Sequence, residues 1–195
     1  MPFVTALRAR GRGRVLVELD GTPWRVLPTE AVLRAGIDVG GRLERERARA
    51  LRRELVRLDA LRIATGALRR RDLSARALGE RLNRAGKAPS ARDHTLATLV
   101  RAGLVDDARA SHARAAALAA RGYGNAAIFA DLAARGFDRD VADAAVASLT
   151  AEVERACAIV ERRGAGEQTA RFLGARGFDE DAVAAARVAA FANDP

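Results

Sequence analysis

The chain carries two copies of one phrase, which share an opening Arg-Gly-x-Gly and a closing Ala-Arg-Gly-Phe-Asp. The first copy, ARGYGNAAIFADLAARGFD, spans residues 120–138, and the second, RRGAGEQTARFLGARGFD, spans residues 162–179. Aligning Gly136 with Gly177 sets the offset between the copies at 41 residues. A catalytic centre needs one set of groups, so a duplicated phrase indicates architecture. Repeats of this length are typical of helical arrays whose units bury their faces on one another.

A fainter third copy lies upstream, in RRDLSARALGERLNRAGK at residues 70–87. Lys87 here replaces Phe137 of the first copy, and three further positions match it: Arg71 with Arg121, Leu82 with Leu132, and Gly86 with Gly136. The chain therefore carries three units of roughly 40 to 50 residues.

Each unit has a helix-turn-helix pattern. Apolar residues at helical spacing lead to Gly136, which is suited to a left-handed helix C-cap, and Phe137 can fold back onto the last turn. Asp138 then is a candidate N-cap for the next helix. A preceding helix over residues 107–120 makes three helices in the unit. Alanine-rich runs and an aromatic content of 4% also favour closely packed helices over strands.

The N-terminal segment has a different pattern. Two alternating apolar runs flank Asp20 and Gly21, which is a strong hairpin signal, and residues 11–13 supply an earlier turn. A short helix should start after Pro28 and stop at Gly36. We therefore predict a mainly α fold, with elongated tandem three-helix repeats after a small N-terminal β-hairpin unit. Its predicted parts are a β-rich unit (1–41), a long basic helix leading into the first repeat (42–70), and repeats over 55–104, 105–150 and 151–195.

Net charge is unevenly distributed along the chain. The formal charge is +9, and residues 1–76 hold 18 arginines against 9 acidic residues, whereas the remainder holds 16 basic and 16 acidic residues. The basic N-terminal part indicates attachment to an anionic partner. The neutral, mixed-charge remainder is typical of a protein-binding surface.

The long basic helix should present an arginine ridge with an apolar back that includes Leu51, Leu55 and Leu58. The predicted nucleic-acid or filament contacts are the members of this ridge: Arg42, Arg45, Arg49, Arg52 and Arg53. The alternative is a solvated face whose arginines pair with glutamates along the same helix, as Glu44 would with Arg47.

No catalytic or metal-binding pattern stands out. Cys157 is the single cysteine and fits a helical core position, and His94 and His112 have no metal-site spacing around them. The glycines near Gly122 and Gly164 lack the residues of a phosphate-binding loop and are interpreted as turns between helices. We expect a soluble, cytoplasmic protein without enzymatic activity, cofactor or metal.

The repeats resemble the RecX family, the regulators of the RecA recombinase. The likeness covers roughly residues 50–191 and is most specific in GLVDD at residues 103–107, followed by RGYG at residues 121–124. The chain differs from the usual family pattern at three places. It has Ala110 where the family usually has an aromatic residue, and Ala77 where the family usually has Glu. The third unit opens with RGAG, without the tyrosine of the RGYG motif.

The resemblance implies a curved chain of three-helix units that lies along the RecA nucleoprotein filament. We expect the protein to be a monomer. It implies inhibition of filament extension, ATP hydrolysis and strand exchange, with single- or double-stranded DNA reached through the filament. The predicted partner contacts are the arginines and tyrosine that open the first two units: Arg70, Arg71, Arg121 and Tyr123.

A helix-turn-helix protein acting directly on DNA is the alternative, since such units can enter the major groove. The second helix of the middle unit, DRDVADAAVASL, carries three aspartates against one arginine. Such a face would repel DNA.

Overall fold

The computed structural model describes residues 1–70 and 72–192, without the side chains of residues 191 and 192. The predicted site residue Arg71 lies outside the described residues. The chain divides into two compact units, one of residues 1–67 with 81–97, the other of residues 68–80 with 98 onward. The division falls at 67/68, 80/81 and 97/98, all within the predicted first repeat.

The fold is mainly helical, with one small sheet near the N-terminus, as predicted. The strands are β1 (Val4–Ala9), β2 (Arg14–Leu19) and β3 (Thr22–Pro28). The helices are α1 (Thr29–Arg34), α2 (Arg45–Leu68), α3 (Ala75–Arg84), α4 (Pro89–Arg101), α5 (Asp107–Ala120), α6 (Asn125–Ala134), α7 (Arg139–Ala147), α8 (Glu152–Arg163), α9 (Glu167–Ala175) and α10 (Glu180–Ala192).

The sheet is antiparallel in the order β1-β2-β3, so both predicted hairpins are confirmed. Its turns use left-handed backbone at Gly11, Gly13 and Gly21, where glycine carries little steric cost. The inward-facing Val15 and Val17 of β2 are buried, in keeping with strand alternation.

The core of the first unit lies between this sheet, α1 and α2. Ile37 is 1% exposed and belongs to the same apolar cluster as Val17 and Leu51. On its polar margin, Arg57 of α2 donates to Glu30 of α1 at 2.5 Å. The apolar back predicted for the long basic helix therefore does face a core.

Helix α2 begins at Arg45, three residues later than predicted. Arg42 forms an isolated antiparallel bridge with Phe3, and the Leu43 N–H donates to the Pro2 carbonyl at 2.9 Å. These tertiary pairings hold the segment extended, although its residues have good helix propensity. The predicted start at Arg42 is therefore wrong.

The second unit contains two complete three-helix sets, α5–α7 and α8–α10, each with its own buried cluster. Phe137 and Phe178 are 6% and 5% exposed, which confirms that each folds back onto the helix before it. Their preceding glycines, Gly136 and Gly177, have φ values of 84° and 78°. Local sequence thus explains the turn inside each repeat.

The cap assigned to Asp138 is only partly correct. Asp138 occupies the N-cap position of α7, but its side chain makes no capping hydrogen bond. By contrast, Asp106 caps α5 by accepting from the Arg109 N–H at 2.9 Å.

Candidate nucleic-acid interface and repeat joints

Four members of the predicted arginine ridge lie on α2 and are exposed: Arg45, Arg49, Arg52 and Arg53. Within the part of the chain that the structure describes, no ion pair involves any of the four. Glu54, one of the acids that could have neutralised them, instead binds Arg57 at 2.7 Å. The pairs expected of a self-neutralised face therefore do not form around these four arginines.

Three of these arginines border an open depression of about 590 Å³ in the first unit. Arg49, Arg52 and Arg53 lie on its α2 side together with Glu54, Val56 and Arg57, and the opposite side includes Ser90 and Ala91 from the start of α4. The guanidinium groups of these arginines give the depression a basic margin, and guanidinium groups are suited to charge-assisted hydrogen bonds with phosphate.

A neighbouring ion-pair network fixes the position of α2. Burial lowers the pKa of Arg57, but its hydrogen bonds to Glu54 and Glu30 outweigh this and raise the pKa above its ordinary value. Asp59, two residues further along α2, binds Lys87, and this bond holds the pKa of the carboxyl below its usual range. Lys87 stands where the other repeats have phenylalanine, so an ion pair replaces an apolar contact there.

Arg42 is separated from the ridge. Its guanidinium lies over the Phe3 ring at 4.9 Å from the centroid, outside α2. A five-member ridge on one helix is therefore incorrect, and Arg42 belongs instead to the edge of the sheet.

The repeated phrases meet each other inside the second unit. The Gly124 N–H, at the start of α6, donates to the Arg176 carbonyl at 2.9 Å, and the Ala126 N–H donates to Gly177 at 3.1 Å. A Cβ placed on Gly124 would overlap the Gly177 carbonyl, and one placed on Gly177 would lie 2.6 Å from the Ala127 nitrogen. The start of α6 in one repeat thus packs directly against the turn that follows α9 in the next repeat.

A second joint, between α3 and the closing turn of α6, has the same construction. The Ser74 hydroxyl donates to the Arg135 carbonyl at 2.9 Å. A Cβ placed on Gly136 would lie 2.9 Å from the Ser74 oxygen. Ser74 aligns with Gly124, and Arg135 with Arg176, so the two joints pair equivalent positions of the repeated phrases. The donor is a side-chain hydroxyl in one joint and a backbone N–H in the other.

A carboxylate strengthens each joint. Asp107 of α5 accepts from the Ala75 N–H at 2.9 Å, and Glu152 of α8 accepts from the Asn125 N–H at 2.5 Å. Both acceptors satisfy an otherwise unpaired N–H at a helix start, where negative charge is favourable. Burial raises the pKa of Asp107, opposed by its bond to Ala75.

Of the predicted partner contacts, Arg121 and Tyr123 lie at the joint between the second and third repeats. Arg176 lies 4.6 Å from the centroid of the Tyr123 ring and also donates to the Arg121 carbonyl at 3.0 Å. Arg155 donates to the Tyr123 carbonyl at 2.7 Å. The Arg121 carbonyl and Tyr123 thus take part in this joint, while Arg121 and Arg70 are both exposed residues.

Sequence reasoning missed that the phrases bind one another. The backbone of Gly124 has φ −81° and does not itself require glycine, so the close approach of the next repeat explains the glycine at this position. Its N–H bond to the Arg176 carbonyl also supports the interpretation of these glycines as turn elements rather than a phosphate cradle. Among the described residues, no group of three or more His, Cys, Asp or Glu side chains is placed to hold a metal ion.

These features define a helical-repeat protein with a small N-terminal sheet and a helix, α2, that carries four exposed arginines without ion-pair partners among the described residues. Neither a protein-family model nor a curated protein sequence matches the chain. Its fold is the RecX fold. A crystal structure of regulatory protein RecX matches with a TM-score of 0.75 at 16% identity, over 93% of this chain and 97% of that one. RecX from Lactobacillus salivarius matches with a TM-score of 0.61 at 14% identity, over 70% of this chain and 97% of that one. In the described part of the chain, no helix has the length and apolar character to cross a membrane.

Proposed function

We propose that this protein is a RecX-type regulator that binds the RecA nucleoprotein filament and inhibits its extension, ATP hydrolysis and strand exchange. The observation that carries the proposal is the fold match to RecX over 93% of the chain. The GLVDD and RGYG motifs add to it, because both fall at the joints between repeats.

The exposed arginines of α2 are the proposed contacts to DNA phosphates in the filament. They have no ion-pair partners in the described chain, so no internal salt bridge has to break when a phosphate binds. Each phosphate contact releases counterions from the DNA, which makes such binding steeply dependent on salt.

The repeats are the proposed contacts to recombinase subunits. Residues 77–195 carry no net charge, which suits a protein surface better than a phosphate backbone. Their joints rest on close backbone packing and bonded carboxylates, so the repeats resist relative movement. A stiff array fastened to neighbouring subunits would oppose the rearrangements that ATP turnover requires, and the regulator needs no chemistry of its own.

Direct reading of DNA by a helix-turn-helix unit is less favoured. Asp138, Asp140 and Asp143 are exposed on or beside α7, and Arg139 there lies 3.6 Å from Asp143. This helix therefore presents negative charge where a recognition helix would need donors and positive charge. A cytoplasmic location and a role in DNA repair by homologous recombination follow from the proposed partner.

A pull-down with the cognate RecA protein, with and without single-stranded DNA, tests the proposal. We expect retention of RecA that is strongest when DNA and nucleotide allow filaments to form. A variant with the four exposed α2 arginines changed to Gln should lose most of the additional RecA retention that DNA produces. No retention of RecA under any condition would contradict the proposal.

A further inference from the structure

The outer face of the N-terminal sheet is the surface that the proposed function does not use. In the strand register Leu16 lies opposite Arg8 on one side and Val26 on the other. Because Val15 and Val17 point into the core, this row faces away from it. The face therefore combines apolar residues with arginines.

Most arginines of this part of the chain have no acidic partner among the described residues. Its two acids are engaged, since Glu18 binds Arg8 at 2.6 Å and Asp20 accepts from the Phe3 N–H at 2.8 Å. Across residues 1–70 and 72–192, no ion pair involves the remaining arginines of the sheet and its first turn: Arg10, Arg12, Arg14 and Arg25. Four positive charges thus lie within one small three-stranded element.

Arg12 occupies a strained position at the tip of the first turn. Its φ is 50°, between Gly11 at 72° and Gly13 at 69°. A left-handed conformation costs a non-glycine residue about 1 kcal/mol or more, and Gly or Asn would suit it better. A charged side chain is therefore held at the turn tip against local backbone preference.

The aromatic component lies on the edge strand. Trp24 and Val26, two residues apart on β3, are 40% and 41% exposed. The Arg25 guanidinium lies 5.8 Å from the Trp24 ring centroid. Trp24 is the single tryptophan of the chain, and its large apolar surface is left in solvent beside positive charge.

We propose that this face binds single-stranded nucleic acid directly, without the recombinase. A base stacks on Trp24 beside Val26, and the backbone phosphates on either side meet Arg10, Arg12 and Arg14. Unpaired bases expose the flat apolar surface that an exposed aromatic residue accepts, while the phosphates supply the matching negative charge. The argument uses only the first unit and does not rest on the proposed function.

The single tryptophan makes the test specific to the site. A 15-residue oligothymidylate is titrated into the purified full-length protein while tryptophan fluorescence and the anisotropy of a labelled oligonucleotide are recorded. We expect saturable quenching of Trp24, and roughly 5- to 150-fold weaker binding by anisotropy for Trp24→Ala, the range measured for loss of one stacked base.

The phosphate contacts are tested with Arg10, Arg12 and Arg14 changed together to Gln. The slope of log affinity against log salt should fall by about 2, at roughly 0.7 per lost single-strand contact. The matched control changes three exposed arginines of the second unit, Arg101, Arg139 and Arg171, and should leave the slope within about 0.5 of the wild type.

Three outcomes would overturn the inference. One is the absence of quenching by the oligonucleotide. Another is quenching by vesicles containing phosphatidylserine but not by the oligonucleotide, which would assign the face to a membrane surface. The third is an equal decrease, in the triple variant and its control, of the slope of log affinity against log salt. If the triple variant fails to fold, Arg12→Asn removes one charge at a position where Asn tolerates the positive φ, and its slope should fall by about 0.7.

Discussion

Changing Gly124 to Ala tests the joint between the second and third repeats. Gly124 has φ −81° and ψ 171° at the N-cap of α6, a conformation open to any residue. The added methyl group would overlap the carbonyl of Gly177 and the nitrogen of Phe178. These are backbone atoms, so a change of side-chain rotamer cannot relieve the overlap.

The third repeat supplies a matched control. Gly166 caps α9 with φ −70° and ψ 168°, and a Cβ there meets nothing within 4 Å. Both substitutions lose the same modest preference for glycine over alanine at an N-cap. The difference between them therefore isolates the close approach of the two repeats, which we expect to be about 1 to 3 kcal/mol, the usual cost of overpacking.

Urea unfolding followed by far-ultraviolet circular dichroism gives both free energies of unfolding. Amide hydrogen exchange supplies a local check, because the Gly124 and Ala126 N–H groups bond across the joint and should exchange faster in Gly124→Ala. Equal destabilisation of the two variants, within about 0.5 kcal/mol, together with unchanged exchange at these amides, would refute the reasoning.

Three further predictions follow from the contacts. Changing the four exposed arginines of α2 to Gln should leave the free energy of unfolding within about 0.5 kcal/mol and lower the salt slope of filament binding by roughly 3, and an unchanged slope would place the phosphate contact elsewhere. Hydrogen bonds from Arg114 and Arg135 lower the pKa of Asp131 to about 2, so the stabilisation from this carboxylate is present above about pH 4 and is lost as pH falls through 2. Asp131→Asn should therefore lower the free energy of unfolding by roughly 1 to 2 kcal/mol at pH 7. It should also flatten the pH dependence of the urea midpoint between about pH 4 and pH 2. Asp107→Ala should cost about 1 kcal/mol through loss of the bond to Ala75, whereas Asp107→Asn keeps an acceptor and relieves the buried charge, so urea midpoints at pH 7 should rank Asn at or above the wild type and Ala below it.

The helices and turns could be predicted from the sequence because their causes are local. Gly136 and Gly177 have positive φ and follow apolar helical stripes, and Asp20 with Gly21 marks a hairpin without reference to the rest of the chain. The start of α2 could not be predicted, since Arg42 has adequate helix propensity and is removed from the helix by pairing with Phe3.

The candidate sites could be predicted only in part. Exposed arginines at helical spacing on α2 follow from the sequence alone, but the absence of their pairing with Glu54 depends on how Arg57 is placed. The joints were not predictable from local pattern, because Gly124 and Gly177 approach each other across more than 50 residues. The repeated phrase marked both glycines without showing that they meet.

The rate of single-stranded-DNA-dependent ATP hydrolysis by the cognate RecA protein tests the central claim most directly. We expect the purified protein to slow this hydrolysis in a saturable way, to shorten the filaments seen by electron microscopy, and to hydrolyse no ATP alone. The variant with the four exposed α2 arginines changed to Gln should need more protein for the same inhibition. An ATPase rate and a filament length that both stay unchanged at saturating protein would contradict the account.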